Sequence, residues 1–142
     1  MSWSERDTYQ EYFYDDLERE CEINRSDIVG FIESIDNIED VLYNYYEDTI
    51  NESDEEYEFE DLLDLFCNKL CHIFSKTVMR RVITSFDDID GINYISTLKK
   101  LKTNEDAYGI IEGKEEDILA VLNEKVKTVY NKNVNEYHKL FG

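Results

Sequence analysis

No proline occurs in the 142 residues, where average usage would place about seven. Proline breaks helix interiors and is excluded from central strands, so its absence favours long uninterrupted helices. Cysteine is scarce and odd in number, at Cys21, Cys67 and Cys71. With no secretory leader, an odd count reads as reduced thiols rather than a disulfide framework. Apolar runs are short, and none approaches the ~20 residues of a membrane-spanning helix. The opening Met1-Ser2-Trp3-Ser4-Glu5-Arg6-Asp7 lacks the basic start and apolar core of a signal peptide. A cytoplasmic location is therefore expected, and the sequons at Asn24 and Asn51 are coincidences.

Basic residues are the other shortage. The chain holds 34 Asp/Glu against 15 Lys/Arg, a net charge of −19. The imbalance is local: residues 1–66 carry 23 acids and 3 bases, whereas residues 67–142 carry 11 and 12. Like charges repel within a compact state, although salt screens exposed ones beyond ~10 Å. The acidic half would repel phosphates, so direct nucleic-acid binding is disfavoured and the partner expected is a basic protein surface. Enough of the chain is apolar (42 %) and aromatic (13 %) to argue against disorder. A chain this long buries about two thirds of its unfolded surface without staples. One domain over 1–142 is expected, with an acidic half (1–66) and a near-neutral half (67–142).

Apolar residues recur at helical spacing almost throughout. Tyr9, Tyr12, Phe13, Leu17 and Cys21 form one stripe behind a Ser2-x-x-Glu5 capping box. Ser26 precedes Ile28, Phe31, Ile32 and Ile35; Asp36-Asn37 then breaks the pattern before Ile38, Val41, Leu42, Tyr45 and Thr49. Ser53-Asp54-Glu55-Glu56 is a second capping box, opening the most hydrophobic segment. Apolar residues on several sides of that segment suit a central helix wrapped by others. Whether it kinks near Ser75-Lys76-Thr77 is open. A turn at Asp87-Asp88-Ile89-Asp90-Gly91 leads to a short helix bearing Ile92, Ile95, Leu98 and Leu101. Gly109 and Gly113 bracket a helix end or a short extended piece, and Glu115-Glu116-Asp117 suit a helix N-terminus. Ile118, Leu122, Val126, Val129, Val134, Tyr137 and Phe141 make the last stripe. The fold class expected is all-α: a compact bundle of about seven or eight helices around a central hydrophobic helix, roughly Leu62–Phe86.

No motif carries catalysis. Cys67 and Cys71 share a helical face beside His72, but only Cys21 and His138 remain to complete a zinc set, without finger-like spacing. Asp88-Ile89-Asp90-Gly91 resembles the middle of a calcium loop, yet its first and twelfth ligand positions are Phe86 and Thr97. Gly109-x-x-x-Gly113 lacks the Gly-Lys-Ser/Thr end of a phosphate loop. Neither histidine belongs to a nucleophile motif. No enzyme activity, metal or cofactor is expected.

The aromatics say more. Seven of the eleven tyrosines lie in the acidic half. Stripe positions assign Tyr9, Tyr12 and Tyr45 to the core. Tyr14, Tyr43, Tyr46 and Tyr57 fall off the stripes beside Asp15, Asp16, Glu47, Asp48, Glu56 and Glu58. Carboxylates interleaved with tyrosines suit a surface that receives Arg and Lys, through bidentate pairs and cation–π contacts. These ten residues are the candidate partner-binding set.

In size and charge the chain resembles the small acidic proteins that phages and mobile elements use against restriction or CRISPR systems. That resemblance implies an inhibitor that mimics nucleic acid and occupies the basic groove of a nucleic-acid-handling host protein, in the host-cell cytoplasm if viral. Rows of carboxylates approximate phosphate spacing, about one charge per 1.7 Å of duplex. A competing class is a helical binder with a hydrophobic groove, similar to viral Bcl-2-like proteins but without their Asn-Trp-Gly-Arg signature. A third, an immunity protein against a basic toxin nuclease, shares the charge logic.

Overall fold

The computed structural model describes residues 3–86 and 105–141, with side chains for 8–86 and 107–141. Its helices are α1 (Trp3–Glu20), α2 (Arg25–Glu33), α3 (Ile38–Tyr45), α4 (Glu47–Glu52), α5 (Phe59–Ser85), α6 (Glu105–Ile111) and α7 (Glu115–Phe141). The protein is all-α, with no strand among the described residues. Five of these helices have eight residues or more and two are shorter. Among the described residues, helices of eight residues or more are thus fewer than the seven or eight helices expected for the chain. Ser2 and the Glu5 side chain of the first capping box, the Asp87–Gly91 turn and the helix from Ile92 to Leu101 lie outside what is described.

The central position of α5 follows from its composition. Leu62, Leu63, Phe66, Cys67, Leu70, Phe74, Val78 and Val82 are each fully buried, too many for one face. α7, α2, α3 and α1 pack around it. The helix runs 27 residues unbroken through Ser75-Lys76-Thr77. Its buried hydroxyls are satisfied inside the helix. Thr77 Oγ1 donates to the Ile73 carbonyl (3.0 Å) and Ser85 Oγ to that of Arg81 (2.6 Å).

The predicted start of this helix is corrected by five residues. Ser53 ends α4, and its hydroxyl accepts the Glu55 N–H (3.1 Å), closing a turn instead of capping a helix. Tyr57 and Phe59 pack onto the core, which holds residues 54–58 out of helical geometry. The cap is Glu58, whose N–H donates to Asp61 Oδ2 at 2.9 Å. Asn24 does the same for α2, its N–H donating to Asp27 Oδ2 at 2.8 Å, two residues ahead of the Ser26 that precedes the apolar stripe.

The predicted break at Asp36-Asn37 is present. Asn37 adopts a left-handed conformation, φ 57°, which asparagine tolerates better than most residues. Gly113 supplies the other such position at φ 96°, so Gly109 to Gly113 spans a helix end and not an extended piece.

α1 runs back along α5. Its Phe13 ring lies 6.2 Å from that of Phe86, and beyond its end the Ile23 N–H donates to Ser75 Oγ at 2.8 Å. Phe86, Tyr137 and Phe141 stack in series, with centroids 4.1 and 4.7 Å apart. This aromatic plug closes one end of the core. Glu20 ties α1 to α7 through Lys132 (2.7 Å) and Asn133 (2.6 Å). Burial pushes the Glu20 carboxyl up, but those two partners outweigh it and hold the carboxyl below its usual range.

The expected core role of Tyr9 and Tyr12 is overturned: they are 52 % and 62 % exposed. Phe13, Leu17 and Cys21 define the buried direction of α1. At about 100° per residue, Tyr12 points about 140° away from Leu17 and Tyr14 only about 60°. Tyr14 therefore packs inward and Tyr12 outward.

Candidate functional site

The ten sequence-predicted residues fall into two groups. Tyr14, Asp15 and Asp16 belong to α1 at the end of α5 near Phe86, where the Tyr14 ring lies 5.4 Å from Phe141. Tyr43, Tyr46, Glu47, Asp48, Glu56, Tyr57 and Glu58 gather around α3, α4 and the start of α5. There the Tyr45 ring meets Phe66 edge-on at 5.7 Å. Phe66 and Phe86 are twenty residues apart on one helix, about 30 Å at 1.5 Å per residue. The structure does not bring the two groups together.

The four tyrosines chosen for the surface are each half-buried and packed against the core. Tyr43 Oη donates to the Tyr57 carbonyl at 3.4 Å, linking α3 to the segment before α5. Tyr46 stands edge-on to Tyr45 with centroids 4.8 Å apart. Burial, aided by neighbouring Tyr45 and Cys67, pushes the Tyr46 hydroxyl up to about 12. Lys69 donates to Tyr45 Oη and sits 5.0 Å from its ring centroid. These contacts pin α3 to α5 and leave each of the rings half-buried. All six carboxylates of the predicted set are exposed.

The wider charge pattern is stronger than those ten residues suggested. Between Arg25 and Lys69 there is no lysine or arginine, and fifteen Asp/Glu occupy the interval. All fifteen are exposed. Arg25 reaches two of them, Glu60 (3.3 Å) and Asp64 (2.5 Å). Several others have a local structural reason: Asp27, Glu39, Asp40, Glu47, Asp48, Glu60 and Asp61 lie in first turns, where the helix dipole favours negative charge. Glu33, at the end of α2, sits where the dipole disfavours it. Asp54, Glu55 and Glu56 lie between helices with no dipole to answer. A groove here is lined by Glu55, Glu56, Tyr57, Asp61, Asp64 and the 40 % exposed Leu65. Its chemistry fits a cation with an apolar stem, which is what arginine and lysine are.

A separate pocket of about 400 Å³ opens between the α1–α2 connection and α5, with Asn68, Cys71, His72 and Ser75 on its wall. Burial first, then the charge of Asp27, pushes the Cys71 thiol up to about 11. Cys67 rises to about 11 and Cys21 to about 12, both chiefly from burial. Thiols in that range are not nucleophiles at neutral pH. With Ellman's reagent we expect Cys71 of the native protein to react about a hundredfold slower than free cysteine. Cys21 and Cys67 should react only in denaturant; rapid labelling of all three in buffer would contradict this burial. No group of three His, Cys, Asp or Glu among the described residues is placed to hold a metal ion. No described helix is long and apolar enough to cross a membrane.

Sequence reasoning missed three features. Tyr46 is i+4 from the buried Leu42, so its inward direction was readable from spacing. Tyr9 and Tyr12 needed the centre of the buried stripe, which the presence of apolar residues does not give. The exposure of Leu65 within a carboxylate ring depends on how α4 and the 53–58 segment lie, which no periodicity encodes. Compared with known protein families, with curated proteins and with solved structures, the chain matches none.

Proposed function

We propose that the protein is a non-enzymatic acidic inhibitor that covers the basic nucleic-acid-binding surface of a host protein, in the manner of anti-defence proteins of phages, viruses or mobile elements. The observation that carries this reading is the base-free interval from Arg25 to Lys69, with all fifteen of its carboxylates exposed. Such a field attracts a cationic surface over a Debye length and repels nucleic acid and anionic membranes. Its mechanism is occupation: carboxylates on stiff helices take the guanidinium and ammonium groups that would otherwise hold phosphates. Long-range attraction speeds encounter, and shape sets the choice of partner. A hydrophobic-groove binder is less well supported, because the large exposed hydrophobics among the described residues are Tyr9, Tyr12 and Leu65 alone. Leu65 lies in a different groove from Tyr9 and Tyr12, so the three form no continuous apolar trough.

The test is capture from nuclease-treated host lysate at about 50 mM and about 500 mM salt. A nucleic-acid-binding protein held at low salt and released at high salt is the expected result, followed by competition with DNA for that protein. A toxin nuclease in its place selects the immunity variant of the same charge logic. A salt-resistant partner with no nucleic-acid role would refute the reading and restore the groove-binding class.

A further inference from the structure

The exposed tyrosines of α1 line a groove of their own. Tyr9, Tyr12 and Asp16 lie along one side and Glu136 and Leu140 of α7 along the other, over a cavity of about 480 Å³. On α1 these positions follow i, i+3, i+7, so both rings and the carboxylate face the same way. The groove walls are fixed. Gln10 Nε2 donates to the Leu140 carbonyl at 3.1 Å, and Lys132 and Asn133 hold Glu20 at the far end. Neither Tyr9 nor Tyr12 has a hydrogen bond to another described residue. Asp16 pairs with Arg19 at 3.1 Å, but both side chains are more than two thirds exposed, and such a pair is readily exchanged for another.

We propose that this α1–α7 groove docks an arginine-bearing segment of a basic partner, with guanidinium groups stacked on Tyr9 and Tyr12 and paired to Asp16 and Glu136. This rests on the acidic-inhibitor reading above and gives it an anchoring point. Charge complementarity selects the occupant. From Thr8 to Glu22, α1 and its exit carry Glu11, Asp15, Asp16, Glu18, Glu20 and Glu22 against Arg19, and the last turns of α7 add Glu136 against Lys132 and Lys139, so the groove's surroundings stay net acidic. A second copy of the chain would bring −19 against −19, and phosphate-bearing ligands would be repelled likewise. Two exposed π faces beside carboxylates favour the planar, weakly hydrated guanidinium over the ammonium of lysine.

The probe is a labelled 12-residue peptide with four arginines, against the same peptide with four lysines, titrated at about 150 mM salt. The arginine peptide should bind more tightly. Tyr9→Ala with Tyr12→Ala should weaken it about tenfold, whereas Tyr9→Phe with Tyr12→Phe should retain it, because stacking needs the ring and not the hydroxyl. Both rings are exposed, so circular dichroism should register no loss of fold. The distant variant Glu47→Gln, Asp48→Asn, Glu55→Gln, Glu56→Gln should change peptide affinity less than the alanine pair does. If the distant variant abolishes binding and the alanine pair does not, the groove assignment is overturned and the acidic-inhibitor reading stands. If the wild type binds neither peptide, both fall.

Discussion

Phe66→Ala is expected to cost about 3–5 kcal/mol of folding stability, lowering the thermal midpoint by roughly 10–15 °C. Phe66 is fully buried near the start of α5 and belongs to the core cluster that spans the described helices. Truncation removes the transfer free energy of an aromatic ring and leaves a cavity that α3 and α5 cannot close without moving. The loss reaches further than the ring itself. Tyr45 stands edge-on to Phe66 at 5.7 Å, and Tyr45 in turn meets Tyr46 and Lys69. These contacts fix α3 against α5 on the side where the base-free interval lies. Phe66→Leu should cost less than about 1.5 kcal/mol, since most of the volume survives. Thermal and urea unfolding followed by circular dichroism would measure both. A Phe66→Ala protein within 1 kcal/mol of wild type would mean that the α3–α5 seam is not where the stability resides.

Much of this architecture was legible because α5 is written plainly in the chain. Ten apolar or small residues from Leu62 to Ser85 are buried, and only a helix surrounded by others hides that many. The break at Asn37 and the start of α7 at Glu115 were equally direct, since each rests on local preference, whereas Gly109 to Gly113 left a helix end and an extended piece both open until the structure placed Gly113 at φ 96°. Caps were less so. Ser53 and Glu58 both precede a carboxylate three residues on, and sequence cannot say which one the packing of Tyr57 and Phe59 will leave at the helix start. The tyrosines were hardest. Tyrosine is amphipathic, so its presence on or off a stripe does not decide its burial. Tyr14 packs on Phe141, more than a hundred residues away, and that contact exists only once α7 has docked. The fifteen acids of the base-free interval are all exposed, but Lys125 lines a pocket with Asp27 and Lys114 one with Asp36, placements that spacing in sequence does not give.

Neutralising the acids between α4 and α5 should separate stability from binding by sign. In the variant Glu47→Gln, Asp48→Asn, Glu55→Gln, Glu56→Gln, four exposed carboxylates become amides of nearly equal shape. No described side chain forms an ion pair with any of them, and no capping bond of α5 passes through them. Removing like charge from a chain at −19 relieves repulsion. Against this stands only the lost dipole contribution of Glu47 and Asp48 at the short α4. Stability should therefore change by no more than about 0.5 kcal/mol, or rise. Affinity for the captured basic partner should move the opposite way, falling roughly tenfold or more at about 50 mM salt, mainly through a slower association rate. The two proteins should converge at high salt, where the field of the wild type is screened within ~3–5 Å. Asp15→Asn with Asp16→Asn, at the other end of α5, should act as an independent second contribution, additive because the sites are far apart and share no partner. Should the four-fold variant keep full affinity and salt dependence, these acids serve hydration, and the partner's cations must be received elsewhere, with the α1–α7 groove the place to look. Should affinity fall with no change in association rate, the carboxylates form close pairs in the complex and do not act through their field.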